Sequence, residues 1–171
     1  LTNSFGLRAS GEPRTSIDAR PSCLAISTTA ALFNHSCAAN VHTDFALSAE
    51  GRLQFQAARA IAEGEAACIC YTSPEEPTYV RRYELWRSKH FVCTCAVCLD
   101  PCEGERCGGF LRCELCCRGW QSQCVDAGVA STRESLVADW VCSACGGRTA
   151  HDAIMEWDGA LRERLTRCLD G

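Results

Sequence analysis

The chain has 171 residues, 47% of them hydrophobic, and a formal net charge of −4. This length suits one domain or two small ones, and the apolar content is too high for a wholly disordered chain. No run of basic residues is present, which disfavours a nucleic-acid-binding face, and no apolar stretch approaches the roughly 18 residues of a membrane span.

The first half of the sequence predicts two strands separated by a turn. Residues 8–22 are rich in Arg, Ser, Gly and Pro, which is typical of a surface loop. Residues 24–33 predict a short buried helix or turn. Apolar and polar residues alternate over 53–57, which is the period of a strand. Residues 66–71 are apolar on both faces and therefore predict an interior strand.

A helix start is predicted at Ser73. Its hydroxyl is a suitable cap, Pro74 fits the first helical position, and Glu76 completes a capping-box spacing. Further positions then follow the helical period, namely Tyr79, Tyr83, Trp86 and His90.

The second half of the chain is predicted to contain a metal-binding segment followed by a helix. Residues 101–148 hold many Gly and Cys residues with little periodicity, so metal rather than a core is expected to order them. Residues 150–169 return to the helical period. Its apolar face consists of Ile154, Trp157, Leu161, Leu165 and Leu169. We interpret this helix as the start of a helical C-terminal domain.

Sixteen cysteines far exceed ordinary usage, and they indicate either a secreted disulfide scaffold or reduced thiolates that hold zinc. Disulfide scaffolds are usually shorter and lack a large core. Tight Cys-x-x-Cys spacings instead place two ligands on one tetrahedral ion. We therefore favour zinc and an intracellular setting, cytoplasmic or nuclear. The clusters are Cys93-x-Cys95-x-x-Cys98, Cys113-x-x-Cys116 and Cys142-x-x-Cys145.

Three short motifs carry the functional signal, although each alone has an ordinary structural explanation. Asn34-His35-Ser36-Cys37-Ala38-Ala39-Asn40 could be a polar turn. Gly64-Glu65-Ala66-Ala67-Cys68-Ile69-Cys70-Tyr71 could be a hairpin turn with a core strand. Phe91-Val92-Cys93-Thr94-Cys95-Ala96-Val97-Cys98 could be a purely structural zinc knuckle.

In this order, the three motifs resemble the C-terminal half of a SET methyltransferase domain with its zinc-bound post-SET tail. The resemblance implies that Asn34 and His35 hold polar groups of S-adenosylmethionine. Tyr71 matches the tyrosine at the methyl-transfer point and is also expected beside the cofactor, and Phe91 would help to wall the pocket. Ala39 stands where the family usually has proline, and Ala66 where it often has a second glutamate.

The same resemblance implies a zinc site built from distant parts of the chain. Cys93, Cys95 and Cys98 supply three thiolates, and zinc takes four ligands. By the resemblance, Cys37 is the fourth ligand and joins the post-SET tail to the cofactor strip.

The spacing after Tyr71 resembles the SET-and-MYND (SMYD-type) lysine methyltransferases, and the segment after Asp100-Pro101 resembles their arthropod, SMYD-A-like members. A second zinc ion is then expected on the two Cys-x-x-Cys pairs, Cys113 with Cys116 and Cys142 with Cys145. Nearby cysteines could substitute for any of these, namely Cys102, Cys107, Cys117 and Cys124. Four others are interpreted as small buried hydrophobes, namely Cys23, Cys68, Cys70 and Cys168.

The predicted fold is α+β: a partial, β-rich SET-type fold, a cysteine-rich zinc-bound post-SET region and a C-terminal helix. We divide it into the C-terminal half of a SET domain (1–72), a helix with the post-SET motif (73–100), a second zinc segment (101–148) and the helix start (149–171). His42, His90 and His151 lie in no cluster and are interpreted as surface or packing residues.

Two functions compete at this point. The first is a protein-lysine methyltransferase whose partner is a protein substrate with a target lysine, with no direct nucleic-acid or membrane binding. The second is a non-catalytic, zinc-organised interaction module derived from a SET domain. By the resemblance, the N-terminal half of a SET domain would carry a Gly-x-Gly turn that approaches the cofactor. The chain begins at Leu1, and nothing in it matches that turn. We therefore expect it to be a piece of the enzyme that is inactive alone.

Overall fold

A computed structural model of the chain describes residues 4–7, 23–43, 52–125 and 128–169. The chain divides into two compact units, Leu1–Ser73 and Pro74–Gly171. The surface loop predicted over 8–22 lies outside the described residues.

Six short strands make up the regular structure described in the first unit. They are β1 (Ser4–Leu7), β2 (Cys23–Ile26), β3 (Asn34–His35), β4 (Val41–His42), β5 (Gln56–Ala57) and β6 (Cys68–Ile69). The strands associate as three two-stranded sheets: β1 with β2 and β4 with β5 are antiparallel, whereas β3 with β6 is parallel.

The buried helix or turn predicted over 24–33 is only partly correct. The segment begins as β2 and then makes one 3-10 turn, Ala30–Leu32. The Ser27 hydroxyl accepts a hydrogen bond from the Ala30 amide over 3.2 Å. A side-chain oxygen thus takes the place of the backbone carbonyl that would accept this bond in a longer helix. Ala30 is buried, but Leu32 is 78% exposed.

The two predicted strands of this unit exist but are shorter than the sequence pattern suggested. β5 covers only the end of the alternating run, and β6 covers two residues of the predicted interior strand. Ile69 is buried in β6, whereas Ala66 and Ala67 are exposed. A tight turn at Gly64, which has φ of 80°, sets the point at which β6 can begin.

In the second unit, helix α1 spans Thr78–Lys89, so the predicted start at Ser73 is wrong. Pro77 stands at the N-terminal boundary with an extended ψ of 153°. Because a proline disfavours the helical conformation of the residue before it, Glu76 cannot open the helix. The helix ends at His90, which adopts the left-handed conformation and donates its amide to the Trp86 carbonyl.

The segment after α1 contains a short helix and an antiparallel sheet that sequence periodicity did not reveal. Helix α2 spans Ala96–Leu99, and a 3-10 helix spans Arg133–Val137. The four strands are β7 (Leu111–Arg112), β8 (Trp120–Gln123), β9 (Trp140–Cys142) and β10 (Arg148–Thr149). They lie in the order β10-β9-β8-β7. With two to four residues each, these strands are too short to show an alternating pattern.

The predicted C-terminal helix is confirmed as α3, His151–Leu169. Ile154 is fully buried, whereas Trp157 and Leu161 are 37% and 48% exposed. The side chains of Leu165 and Leu169, also predicted on this face, lie outside what the structure describes. The most deeply buried side chains of the unit include Leu85 of α1, Trp140 of β9 and Ile154.

The α+β class, with its C-terminal helix, is therefore confirmed. Among the residues that the structure describes, no helix combines the length and apolar character needed to cross a bilayer.

Candidate functional site

The strip from Asn34 to Asn40 lies against the strand that leads to Tyr71. β3 and β6 pair in parallel, with Asn34 opposite Cys68 and His35 opposite Ile69. The Ser36 amide continues this pairing by donating to the Ile69 carbonyl over 3.1 Å. The first two functional motifs are thus neighbours in space.

The His35 ring is held by two hydrogen bonds within the first unit. The Tyr71 amide donates to Nδ1 over 3.1 Å, and Nε2 lies 3.4 Å from the sulfur of Cys37. Because Nδ1 is an acceptor, we assign the ring proton to Nε2, which donates to that sulfur. His35 therefore links Tyr71 to Cys37, whereas the Asn34 side chain is exposed.

The Tyr71 side chain turns back towards the start of the strip. Its hydroxyl donates to the Phe33 carbonyl, and its ring centroid lies 5.3 Å from that of His35. Burial raises the pKa of Tyr71, and the charge interaction with nearby Cys68 raises it further. The hydroxyl is therefore neutral at physiological pH and can both donate and accept hydrogen bonds.

Asn40 closes the strip by fixing the turn before β6. The side chain is 3% exposed. Its Nδ2 donates to Glu65 Oε1 over 2.9 Å and to the Ala66 carbonyl over 3.0 Å, while its Oδ1 accepts from the Cys68 amide over 2.8 Å. The resemblance matched this residue by position, but its structural role is visible only in these three bonds.

Glu65 is firmly ionised in this turn. Hydrogen bonds from Arg59, from the Ala62 amide and from Asn40, in that order, lower the pKa of Glu65 to about 2. Arg59 also forms an ion pair with this carboxylate on the protein surface.

The second unit contains a group of three cysteines around α2. The sulfur atoms of Cys93, Cys95 and Cys98 all lie within 4.8 Å of one another. The amide of Cys98 donates to the Cys95 carbonyl over 2.9 Å, so the tight turn of α2 brings the last two sulfurs to the same side. Cys93 and Cys98 are buried. Three thiolates so placed leave one zinc position for a fourth ligand.

A buried arginine, Arg82 of α1, lies against this group. Its Nε donates to the Cys93 carbonyl over 3.2 Å, and its terminal nitrogens donate to the Ala130 carbonyl and to the hydroxyl and carbonyl of Ser135. Burial lowers the pKa of Arg82, while Cys98 and Cys93 oppose this effect. An arginine still keeps its charge at neutral pH. A cation therefore lies next to cysteines that become anionic when they bind metal.

Four further cysteines come together beside the antiparallel sheet, namely Cys113, Cys116, Cys142 and Cys145. Sulfur–sulfur distances are 3.9 Å for Cys113 and Cys145, and 3.7 Å for Cys116 and Cys142. A tetrahedral zinc ion with Zn–S bonds of about 2.3 Å has ligand–ligand edges of about 3.8 Å. This spacing fits a closed, four-thiolate zinc site and is far longer than a disulfide bond of about 2.05 Å.

The two Cys-x-x-Cys pairs of this group sit on equivalent turns. The amide of Cys117 donates to the Cys113 carbonyl, and the amide of Gly146 donates to the Cys142 carbonyl. Both donor residues are left-handed, with φ of 53° at Cys117 and 66° at Gly146. These turns decide which of two adjacent cysteines joins the group: Cys116 faces it, and the Cys117 side chain is exposed.

The thiol pKa values in this group diverge because backbone amides lower the pKa of Cys116 and Cys142, whereas neighbouring sulfurs raise that of Cys145. Backbone amides of Arg118 and Gly119 lower the pKa of Cys116 to about 6. The Gly147 amide also favours the thiolate of Cys145, but the neighbouring sulfur of Cys142 and burial together raise its pKa to about 11. A divalent cation would supply the charge that lets all four ionise.

The remaining predicted residues are more dispersed. Phe91 is 37% exposed. Cys37 is buried in the first unit, and its assignment as a zinc ligand stays a prediction. The proposed substitutes are all exposed and outside the second group, namely Cys102, Cys107, Cys117 and Cys124. Cys68 and Cys70, interpreted as buried, are only partly so, and Cys23 and Cys168 have side chains outside the described part of the chain.

Sequence reasoning missed the role of Arg82. No motif in the sequence assigned it a function. The signal that could have identified it is its position three residues before Leu85, on the same helical face. Both side chains are fully buried.

Comparison with family models matches residues 6–72 to the SET domain. The match covers the two motifs that end at Asn40 and Tyr71, and it supports the SET-domain family that these motifs predicted. Comparison with curated proteins finds no significant match.

Proposed function

We propose that the natural protein containing this chain is an S-adenosylmethionine-dependent protein-lysine N-methyltransferase. One observation carries the proposal: the parallel pairing of β3 with β6 places Tyr71 beside His35 in a segment that matches a SET domain. We further propose that it belongs to the SET-and-MYND type, is intracellular, and acts on a lysine of a protein substrate.

The residues of the strip fit such a cofactor in chemical type. Asn34 has an exposed amide that can both donate and accept, and His35 is already oriented by its two ring hydrogen bonds. Asn34 would hold a polar group of the cofactor through this amide, His35 would do so through its backbone because both ring nitrogens are engaged, and Phe91 would cover part of the cofactor. The cofactor, when bound, supplies an electrophilic methyl group on a sulfonium.

The chemical problem left to the protein is to present a neutral amine in line with that methyl group. Free lysine has a pKa near 10.4, so roughly 0.1% or less is neutral at pH 7. Desolvation in a narrow site next to a cation lowers this pKa. Alignment then contributes on the order of 7 kcal/mol or more through effective concentration.

Tyr71 is proposed to orient the amine. Its hydroxyl is neutral, because burial raises its pKa, and it is positioned by the bond to the Phe33 carbonyl. The Phe33 ring stacks on Phe55 with centroids 4.6 Å apart, which supports the position of that carbonyl. A hydroxyl and a carbonyl at one point can bind the amine and stabilise the charge that develops on it.

Zinc is proposed to hold the regions around this site, with two ions in the chain. The group of four cysteines would hold one. Cys93, Cys95 and Cys98 would hold the other with Cys37 as fourth ligand, a role for which the hydrogen bond from His35 to its sulfur is favourable.

The decisive test uses the natural full-length protein, loaded with zinc. Cofactor affinity is measured by calorimetry, and methyl transfer to lysine-containing proteins is measured in single-turnover experiments. We expect Tyr71→Phe to lower the transfer rate by at least about tenfold while the cofactor Kd changes by less than about twofold. Ser88→Ala removes an exposed hydroxyl from α1 and should leave both values unchanged. A correctly folded protein that binds no cofactor at millimolar concentration would contradict the proposal and favour the interaction module.

A further inference from the structure

A groove of about 870 Å³ lies on the second unit, away from both cysteine groups. It is bordered by α1, by the 3-10 helix Arg133–Val137 and by the start of α3. Nothing in the proposed methyl transfer uses it. Its volume is in the range of sites that bind a small molecule or a few side chains of a peptide.

The floor of the groove is aromatic and aliphatic. Tyr79, Tyr83 and Trp86 project from successive turns of α1, and Leu136 and Val137 line the opposite side. Tyr83 is 51% exposed and Val137 is 60% exposed. Large apolar side chains that share one exposed concave surface are typical of binding sites.

The charges around this floor are predominantly negative. Glu76, Glu84, Glu134 and Asp158 line the groove, against one guanidinium, that of Arg133. Among the described residues, Glu76, Glu84 and Glu134 form no ion pair. The backbone amide of Glu134 lowers the pKa of that carboxyl, and burial lowers the pKa of His151. At neutral pH the groove is therefore acidic.

The aromatic floor already accepts a cation from the protein itself. The guanidinium carbon of Arg133 lies 4.9 Å from the centroid of the Trp86 ring. This is the geometry of a cation–π interaction, which strengthens as the cation loses water. A second cation could be bound in the same way over Tyr83, whose ring is more exposed.

We propose that this groove binds a lysine- and arginine-rich segment of a partner protein, with an apolar side chain of that segment on the aromatic floor. The acidic border selects for positive charge, and the exposed ring of Tyr83 provides a face for a cationic side chain. A second copy of this chain is a poor occupant because its net charge of −4 would be repelled. The inference concerns binding alone and does not depend on the proposed methyl transfer.

The probe is a fluorescein-labelled lysine-rich peptide that carries one leucine, with a counterpart in which glutamate replaces each lysine. Both are titrated against the zinc-loaded full chain by fluorescence anisotropy. We expect the lysine peptide to bind, with an affinity that falls as salt is raised, and the glutamate peptide not to bind. Equal binding of the two peptides, or no binding of the lysine peptide at millimolar protein, would overturn the proposal.

Two sets of variants locate the binding. The double change Glu76→Gln with Glu84→Gln should weaken binding of the lysine peptide by about tenfold or more, whereas Glu63→Gln with Glu114→Gln, both exposed and outside the groove, should change it by less than about twofold. Tyr83→Ala should weaken binding, and the matched change Leu115→Ala, at a residue that is 69% exposed, should not.

Zinc content and melting temperature are measured for each variant, so that loss of binding is scored only in folded protein. If both groove variants fold and bind the peptide as the unchanged chain does, the groove is not the binding site. If the chain binds no peptide and its elution volume in size-exclusion experiments shifts with chain concentration, a second copy occupies the groove and the proposal is wrong.

Discussion

Arg82 Nε donates a hydrogen bond to the backbone carbonyl oxygen of Cys93 across 3.2 Å, and Cys93 lies beyond the end of α1. The same guanidinium reaches Ala130 and Ser135. One fully buried side chain thus ties three segments of the second unit together. Its charge lies beside the first cysteine group, where bound zinc with four thiolates would carry a net negative charge.

We predict that Arg82→Met destabilises the protein strongly. The substitution keeps an unbranched apolar stem but removes the guanidinium, so the buried carbonyl oxygens of Cys93, Ala130 and Ser135 lose their hydrogen bonds from Arg82, at a cost of on the order of 2–3 kcal/mol. Urea unfolding measures this loss. The exposed Arg87 of the same helix is the control, and Arg87→Met should change stability by less than about 0.5 kcal/mol.

The effect of Arg82 on metal retention distinguishes its charge from its packing. With Arg82→Lys the cation is kept but the planar set of donors is lost. We expect a chelator to remove zinc more slowly from this variant than from Arg82→Met. Equal rates for the two variants would show that the charge does not stabilise the metal site.

Cys37→Ser should reduce bound zinc from two ions per chain towards one. A hydroxyl is a much poorer zinc ligand than a thiolate, and metal binding contributes directly to folding free energy. Metal analysis and thermal melting measure the change. Cys124→Ser, at an exposed cysteine outside both groups, should keep both ions. If Cys37→Ser also retains two ions and the melting temperature of the unchanged chain, Cys37 is not the fourth ligand.

Gly119→Ala is expected to disrupt the second cysteine group. An added Cβ would lie 2.5 Å from the sulfur of Cys142 and 2.6 Å from the Cβ of Ala144, too close for either atom. Overpacking of this kind typically costs about 1–3 kcal/mol. Calorimetric melting and zinc content report the damage.

The matched glycine is Gly159 in α3, where an added Cβ meets nothing within 4 Å. Alanine there removes the helix penalty of glycine, so Gly159→Ala should stabilise the protein by up to about 1 kcal/mol. If the two alanine variants melt alike, the backbone approach at Gly119 does not constrain the fold.

For the strip, Asn40→Ala should destabilise the first unit by on the order of 1–3 kcal/mol, since the Cys68 amide and the Ala66 carbonyl lose their partner. Asn34→Ala, at an exposed residue, should have little effect on unfolding. Hydrogen exchange at the Cys68 amide gives a local readout, and unchanged protection of that amide would contradict the role assigned to Asn40.

The Asn40 variant should also change the titration of Glu65. A depressed carboxyl pKa stabilises the folded state above the ordinary value of 4.5, and this contribution is lost as the pH falls towards 2. Removing one hydrogen-bond donor from Glu65 should therefore raise its pKa, so that this stabilisation is lost at a higher pH. Carboxyl NMR shifts follow the titration directly, and a Glu65 pKa that stays near 2 would show that Arg59 and the Ala62 amide suffice.

Sequence patterns predicted the long elements and the cysteine pairs better than the boundaries and the buried polar groups. α3 was predictable because its apolar positions follow the helical period through Ile154. The start of α1 was not, since Ser73, Pro74 and Glu76 together form a plausible cap whereas Pro77 decides the boundary.

The sheet around the second cysteine group was not predictable from periodicity. β7 and β9 have two and three residues, and their positions depend on the paired turns that end at Cys117 and Gly146. The role of Arg82 depends on acceptors at Ala130 and Ser135, far away in sequence. Such contacts are set by tertiary structure and leave no local pattern.

The pairing of β3 with β6 also has a consequence for how fast the chain folds. His35 and Tyr71 are 36 positions apart, so bringing them together costs about 3 kcal/mol of loop-closure entropy before any contact compensates for it. The helices α1 and α3, by contrast, form from local contacts. The strip should therefore form later than these helices, and mutations in it should mainly accelerate unfolding rather than slow refolding.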